Sequence, residues 1–386
     1  MLTHARDTGD PTPAPETSAP LEGMRSALRS APPASHDAAF PRDWWRHLAA
    51  HGLLGLGFDA EHLEKRADWP AIARISGLIA RETANLGLAL AWLMNEMLGR
   101  FVIARHACND EQRALLQGMA SGDRIAALAI TEPGVGAHPK HLSCHASRHG
   151  ESWRIDGEKA YLSNGPAADL CVVLAVTGEA AGRKAFDAFI VDADNPGLAK
   201  LAPAGPAALA PLGHCGLRLT ACVVPENRRL DTNGKAFEHI AKPLRALEDA
   251  LLAGTLIGAM MAGLDALSSW LRGTSPSPAC LRSLGALRLE LRALARLADL
   301  PARRLEAQGV DEGLADLNAG LRIALERWQS SFETLAASFD DHLPHLVRLN
   351  RDIHTVLGIA RGAGEARQLL AGKALLNSKE PDEVPA

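Results

Sequence analysis

The chain predicts an α+β fold: an N-terminal helical domain, a small central β-barrel-like domain and a C-terminal four-helix-bundle domain. Three observations carry this. Apolar residues recur at helical spacing up to about residue 124. Between residues 125 and 234 the chain breaks into short β-prone runs separated by Gly, Pro, Asn and Asp. From about residue 235, long Ala/Leu segments with wide apolar faces return and last to the end. Blocks of helices, strands and helices, rather than strict alternation, argue against a doubly wound sheet.

Residues 1–41 are rich in Pro, Ala, Ser and Thr. Such a stretch buries too little apolar surface to offset its ordering entropy, so it reads as a disordered tail. The piece LEGMRSALRS is amphipathic enough to order locally. Residues 42–124 form the first helical domain. Trp44 and Trp45 open it as packing anchors. LGLALAWLMNEMLGRFVIARHA is nearly all apolar and predicts a helix buried on most sides. NDEQRALLQGMASGD predicts a further helix capped by Asn109 or Asp110, with Gly122 near its end. Residues 125–234 form the β domain. Residues 235–386 form the bundle, with antiparallel helices joined by short loops.

The totals narrow the function. With 386 residues the chain holds two or three units. A formal charge of -4 argues against a nucleic-acid surface. The six cysteines form no CxxC pair, so neither a zinc site nor a disulfide framework is expected, and reduced thiols in a cytoplasmic setting fit better. No apolar run reaches the roughly 20 residues of a membrane span, and the opening residues lack a secretory apolar core. His138, His141, His145 and His149 cluster with Cys144. Strand alternation would place His141 and His145 on one side. No carboxylate or cysteine pair completes a ligand set, so no metal is expected. No GxSxG is present, which leaves a serine hydrolase unsupported.

The specific signal lies in AITEPGVGAH (Ala129–His138) and WRIDGEKAYLSNGPAAD (Trp153–Asp169). This pair resembles the TEPGxGSD and GxKxWITNGxxAD motifs of the acyl-CoA dehydrogenase family. LGLGFD, VVPEN (Val223–Asn227) and NRDIHTVLGIARGAGEARQLLAGKAL extend the likeness over about residues 44–378. The glycines allow a tight backbone path beside a ligand. The resemblance implies an FAD site with Thr131, Gly136, Tyr161 and Ser163 as cofactor-binding residues. In it, Thr131 faces the pyrimidine edge, Tyr161 lies against the isoalloxazine ring, and the Ser163 hydroxyl points toward N5. It further implies α,β-dehydrogenation of an acyl thioester, on CoA or a carrier protein, by a homodimer or homotetramer.

Such chemistry needs a carboxylate base. The usual family position, counted from Arg351 and Asp352, holds Ala360. A second subgroup, which includes the isovaleryl-CoA dehydrogenases, carries its base on the first bundle helix. There EDALLAGTLIG aligns without gaps and assigns the base to Glu248. The bland reading is a surface Glu248 paired with Arg245. Asp249 replaces the subgroup's Arg. Other departures are Ala137 and His138 for Ser-Asp, Thr274 and Ser277 in the RxxFG turn, Gly285 for a Gln, and Ala336 and Ala337 for a Gly pair. All of these but the first fall at the adenine end. Two alternatives stay open. One is a flavin monooxygenase of the same fold fed with reduced flavin, to which the RDIHT string (Arg351–Thr355) is similar. The other is a non-catalytic scaffold with a decayed flavin site.

Overall fold

The computed structural model describes residues 18–32, 40–58, 68–180, 182–202, 208–359 and 361–377. Helix α1 (Ser18–Ser30) falls within the stretch expected to be a tail. Met24, Ala27 and Leu28 recur at i, i+3 and i+4, and Ala27 and Leu28 are buried. Arg25 and Arg29 reach Glu82. The structured part therefore begins earlier than composition suggests, while residues 1–17 and 33–39 lie outside the described residues.

Helix α2 (Arg42–Ala50) buries Trp44, Trp45 and Leu48. Helix α3 (Trp69–Thr83) starts at Asp68, whose side chain accepts from Ala71 N. Helix α4 (Leu86–Met97) starts in the same way at Asn85. It runs on through a π-helical stretch, Leu98–Ile103, into α5 (Ala104–His106). The cap of α6 (Asp110–Ala120) is Asn109, which accepts from Gln112 N.

Seven strands follow: β1 (Ala126–Ala129), β2 (His145–His149), β3 (Ser152–Ser163), β4 (Leu170–Ala180), β5 (Arg183–Asp192), β6 (Leu198–Leu201) and β7 (His214–Pro225). They form one mixed sheet in the order β1-β4-β2-β3-β7-β6, with β5 also pairing β4. Inside it sits a separate small core that includes Ile155, Val173, Phe189 and Leu217, together with Cys144, Cys171, Cys215 and Cys222. Desolvation pushes the thiols of Cys144 and Cys171 up to about 11 and about 12, so these cysteines behave as small apolar residues. All six cysteines are unbridged.

The second helical part comprises α7 (Lys242–Leu271), α8 (Pro278–Leu297), α9 (Asp299–Gln308), α10 (Glu312–Ala336), α11 (Pro344–Gly358) and α12 (Arg361–Asn377). Helix α7 is its axis and packs backbone against backbone on α3. A Cβ on Gly258 would lie 1.9 Å from Gly77 O, and one on Gly254 would lie 2.5 Å from Ala73 O. Only glycine permits that approach. A buried hydroxyl pair, Ser76 and Thr255, closes the seam at 2.6 Å. By length and composition alone, Leu86–His106 and Phe237–Leu271 would pass as membrane spans, contrary to the expectation that no such run exists. Protein covers them instead, with 89% and 78% of their apolar windows buried.

Candidate active site

The two motifs are fastened together by a buried ion pair that motif reading did not single out. Lys159 and Glu132 are both buried. Lys159 Nζ donates to Glu132 Oε1 at 2.9 Å and to Ile130 O at 3.1 Å. The other donors to Glu132 are the amides of Ser143 and Cys144 and the Ser143 hydroxyl. Burial alone would raise the Glu132 carboxyl. Lys159 and the two amides outweigh that and hold it below the usual carboxylate range. Ala160 N also donates to Thr131 O at 2.8 Å. The Glu of TEPG and the Lys of GEKAY thus work on each other, and the neighbours they position are Thr131 and Tyr161.

Those neighbours face a cavity of about 970 Å³ between the sheet, α4 and the bundle. The sheet wall includes Thr131, Tyr161, Ser163 and His214, the α4 wall Met94, Met97 and Leu98, and the bundle wall Leu244, Glu248 and Thr355. Four of the five residues expected in the site are brought together here. Tyr161 gets there through an irregularity: the β3–β7 register shifts between Lys159 and Leu162, and Tyr161 takes φ 59°. A bulge of this kind re-aims a side chain. It leaves Tyr161 65% exposed at the cavity. Asn164, at φ 61°, ends the strand and donates to Ala91 O in α4.

Gly136 is the exception. It does not line the cavity. With φ 67° it pairs with Glu132 through two backbone hydrogen bonds and closes an exposed turn. Its conformational freedom shapes the TEPG loop.

Glu248 lies on α7 facing the cavity, with 32% of its side chain exposed. Desolvation raises its pKa; Arg245 pulls it back and Asp249 pushes it further up. The expected pairing with Arg245 is long, at 4.0 Å. Arg245 binds Asp249 instead, at 2.6 Å. Asp249 also meets Arg322 at 3.3 Å, and Arg322 donates to the carbonyls of Val356, Leu357 and Ile359 at the end of α11. Asp249 therefore draws two guanidinium groups away from Glu248 and braces the α11 end. Ala360 lies outside the described residues.

His214 was not foreseen from the sequence. It stands directly across from Ser163 in the β3–β7 register, and its Nε2 is 3.2 Å from Ser163 Oγ. Desolvation lowers its pKa, so the ring is neutral near neutral pH. In the RDIHT string, Asp352 is buried and accepts from Leu209 N, while Thr355 reaches the cavity and its hydroxyl donates to Arg351 O. At the adenine end, Ser277 caps α8 and Thr274 bonds Leu271 O. The histidine stretch is not a strand face, because His141 sits in the turn before β2. Among the described residues, no group of three or more His, Cys, Asp or Glu side chains is arranged to hold a metal.

The cavity's walls fit a flat aromatic ring with one polar edge. They offer apolar faces, an exposed tyrosine, and the Thr131 and Ser163 hydroxyls on one side. Comparisons with known proteins agree with that geometry. Residues 25–123 match the family description "Acyl-CoA dehydrogenase, N-terminal domain" and residues 127–222 match "Acyl-CoA dehydrogenase, middle domain", together about half of the chain. A mitochondrial 2-methylacyl-CoA dehydrogenase of Solanum tuberosum is 29% identical over 61% of this chain. A mitochondrial isovaleryl-CoA dehydrogenase of Oryza sativa is 28% identical over 60%. The match spans 57% of the length of each relative. The crystal structure of a Mycobacterium smegmatis glutaryl-CoA dehydrogenase in complex with FADH2 superposes with a TM-score of 0.76 at 19% identity, covering 94% of this chain and 96% of the other.

Proposed function

The chain belongs to the acyl-CoA dehydrogenase family, and from that premise we propose that it is an FAD-dependent oxidoreductase that dehydrogenates an acyl thioester at Cα–Cβ. The observation that carries this is the placement of Glu248 on the bundle wall of the cavity whose sheet wall carries Thr131, Tyr161 and Ser163. Bound against that sheet wall, FAD would supply a hydride acceptor at N5. Thr131 and Ser163 would hold the polar edge of its ring, and Tyr161 its face. Glu248 takes the acyl α-proton on its carboxylate. A carboxyl raised by desolvation is a stronger base for that step than an exposed one. Met94, Met97 and Leu98 exclude water and favour an apolar acyl chain.

Anaerobic titration of FAD-reconstituted protein with a panel of acyl-CoA thioesters tests this. Wild type loses its visible flavin absorbance, and Glu248→Gln keeps FAD while losing reduction by at least a hundredfold, within the range of general-base effects. Unchanged reduction in the variant sinks the base assignment. Failure of every thioester to reduce the bound flavin sinks the dehydrogenase reading. As part of the same reading, the chain works as a homodimer or homotetramer in a reducing, cytoplasmic compartment. Exposed Leu369, Leu370, Leu375 and Leu376 on α12 supply an apolar contact face, and the unbridged cysteines fit such a compartment. A monomer in dilute-solution mass measurement counts against the assembly.

A further inference from the structure

We infer that His214 is a positioning residue that fixes the Ser163 hydroxyl as a hydrogen-bond donor into the cavity. This rests on the flavin reading for the ligand, though not for the pair itself. The geometry is over-determined from both sides. A Cβ on Gly165 would lie 2.5 Å from Cys215 Sγ, and one on Gly213 would lie 3.1 Å from Pro166. The turn after Ser163 and the turn before His214 therefore interlock, and Gly213 needs its φ of 59° to enter β7. Register and turns together hold Oγ and Nε2 within hydrogen-bond distance.

A serine hydroxyl has one proton, and a neutral imidazole has one donor and one acceptor. If Ser163 donates to Nε2, only oxygen lone pairs face the cavity. If Nε2–H donates to Oγ, the serine proton is free to point at a ligand acceptor. The 3.2 Å contact is open to either polarity. The one that serves a ligand acceptor puts the neutral ring's proton on Nε2, so that Ser163 turns its own outward, and this is the tautomer the inference requires. An oxidised isoalloxazine presents an acceptor at N5, which matches that polarity. The other charged groups around the pair are Arg42 and Glu248 on the cavity walls and Lys200 of β6. Arg42 is paired with Asp169, and Lys200 is bound to the Pro166 and Ala168 carbonyls. Covering the already desolvated imidazole with an uncharged ring disfavours its protonation further, so binding releases a proton from protonated His214.

The experiment is a pair of measurements on the full-length protein. Nitrogen NMR of histidine-labelled apoprotein reads tautomer and titration, and fluorescence titration with oxidised FAD reads affinity from pH 5 to 8.5. The Nε2–H tautomer is expected, and Ser163→Ala is expected to move the His214 titration. Wild-type FAD affinity is expected to weaken below the His214 pKa, by up to about tenfold per pH unit. His214→Gln, which keeps a donor and does not titrate, retains neutral-pH affinity and loses the acid limb. An Nδ1–H tautomer, or a His214 titration unmoved in Ser163→Ala, overturns the pair. An acid limb that persists in His214→Gln overturns its link to the ligand. If wild type binds no FAD at any pH, the flavin reading itself fails, and the NMR arm still decides the pair.

Discussion

The sheet wall and the bundle wall of the cavity are built on opposite principles. The sheet wall gets its rigidity from a buried charge pair whose lone pairs and protons are nearly all used: Glu132 takes four donors, and Lys159 two acceptors. The bundle wall presents a carboxylate that no close partner neutralises, because Asp249 occupies the nearby guanidinium groups. On the proposed reading, one wall stays fixed to hold a ring and the other keeps a group free to take up a proton. Neighbouring charges of the same types would then serve position in one place and reactivity in another.

Removing one member of the sheet-wall pair is the harshest way to break this contrast. Glu132→Ala leaves Lys159 charged and unpaired in the interior, and denaturant unfolding should show a loss of about 3–5 kcal/mol. The double change Glu132→Gln with Lys159→Met should recover much of that loss, since both charges go. A double variant no more stable than Glu132→Ala alone would mean the pair stabilises in its own right.

Glu96 offers a second handle, since it is buried on α4 and its carboxylate accepts from the amides of Gly55 and Gly57. Desolvation raises its pKa to about 7 in spite of these amides. The folded state therefore holds a proton that the unfolded state releases between about 4.5 and 7. Stability from this group is fully present below the lower value and is lost as pH rises through the upper one, by about 3 kcal/mol. Glu96→Gln should flatten that slope, as measured by unfolding midpoints at pH 5 and pH 7.5.

The bundle wall stands on the glycine seam between α3 and α7. Gly258→Ala forces the helices apart and should cost about 1–3 kcal/mol, read as a lower melting temperature. A variant that melts with wild type would show the seam to be compliant. The gentlest change sharpens the comparison rather than breaking it. Asp249→Asn removes a charge that raises Glu248 and frees Arg245 and Arg322 to approach it. The Glu248 pKa should fall, moving the acid limb of the flavin-reduction rate to lower pH. A shift to higher pH would contradict this account of the bundle wall.

Much of the architecture was legible because periodicity changes sharply twice along the chain. The cap at Asn109 and the long apolar α7 are local signals. Motif spacing marked Thr131, Tyr161 and Ser163, which share one cavity wall, and an ungapped run on one helix marked Glu248, which faces them. What escaped was non-local. His214 reaches the site only through strand pairing that no spacing encodes. The partners of Asp249 include Arg322, 73 residues away. Gly136 falls off the cavity wall, and a turn glycine and a ligand-approach glycine look alike in sequence. Helix α1 was legible as the amphipathic piece LEGMRSALRS, though its Pro-rich flanks put it inside the expected tail.

The α3–α7 seam also sets an order of events during synthesis. Its hydroxyl pair joins residues 179 positions apart, with the whole sheet between them. At ribosomal speed that interval lasts roughly ten to forty seconds. Throughout it the first helices have made the face meant for α7 but have nothing to lay against it. The strands emerge next and can pair among themselves while that face waits. The seam therefore cannot close until α7 has left the exit tunnel.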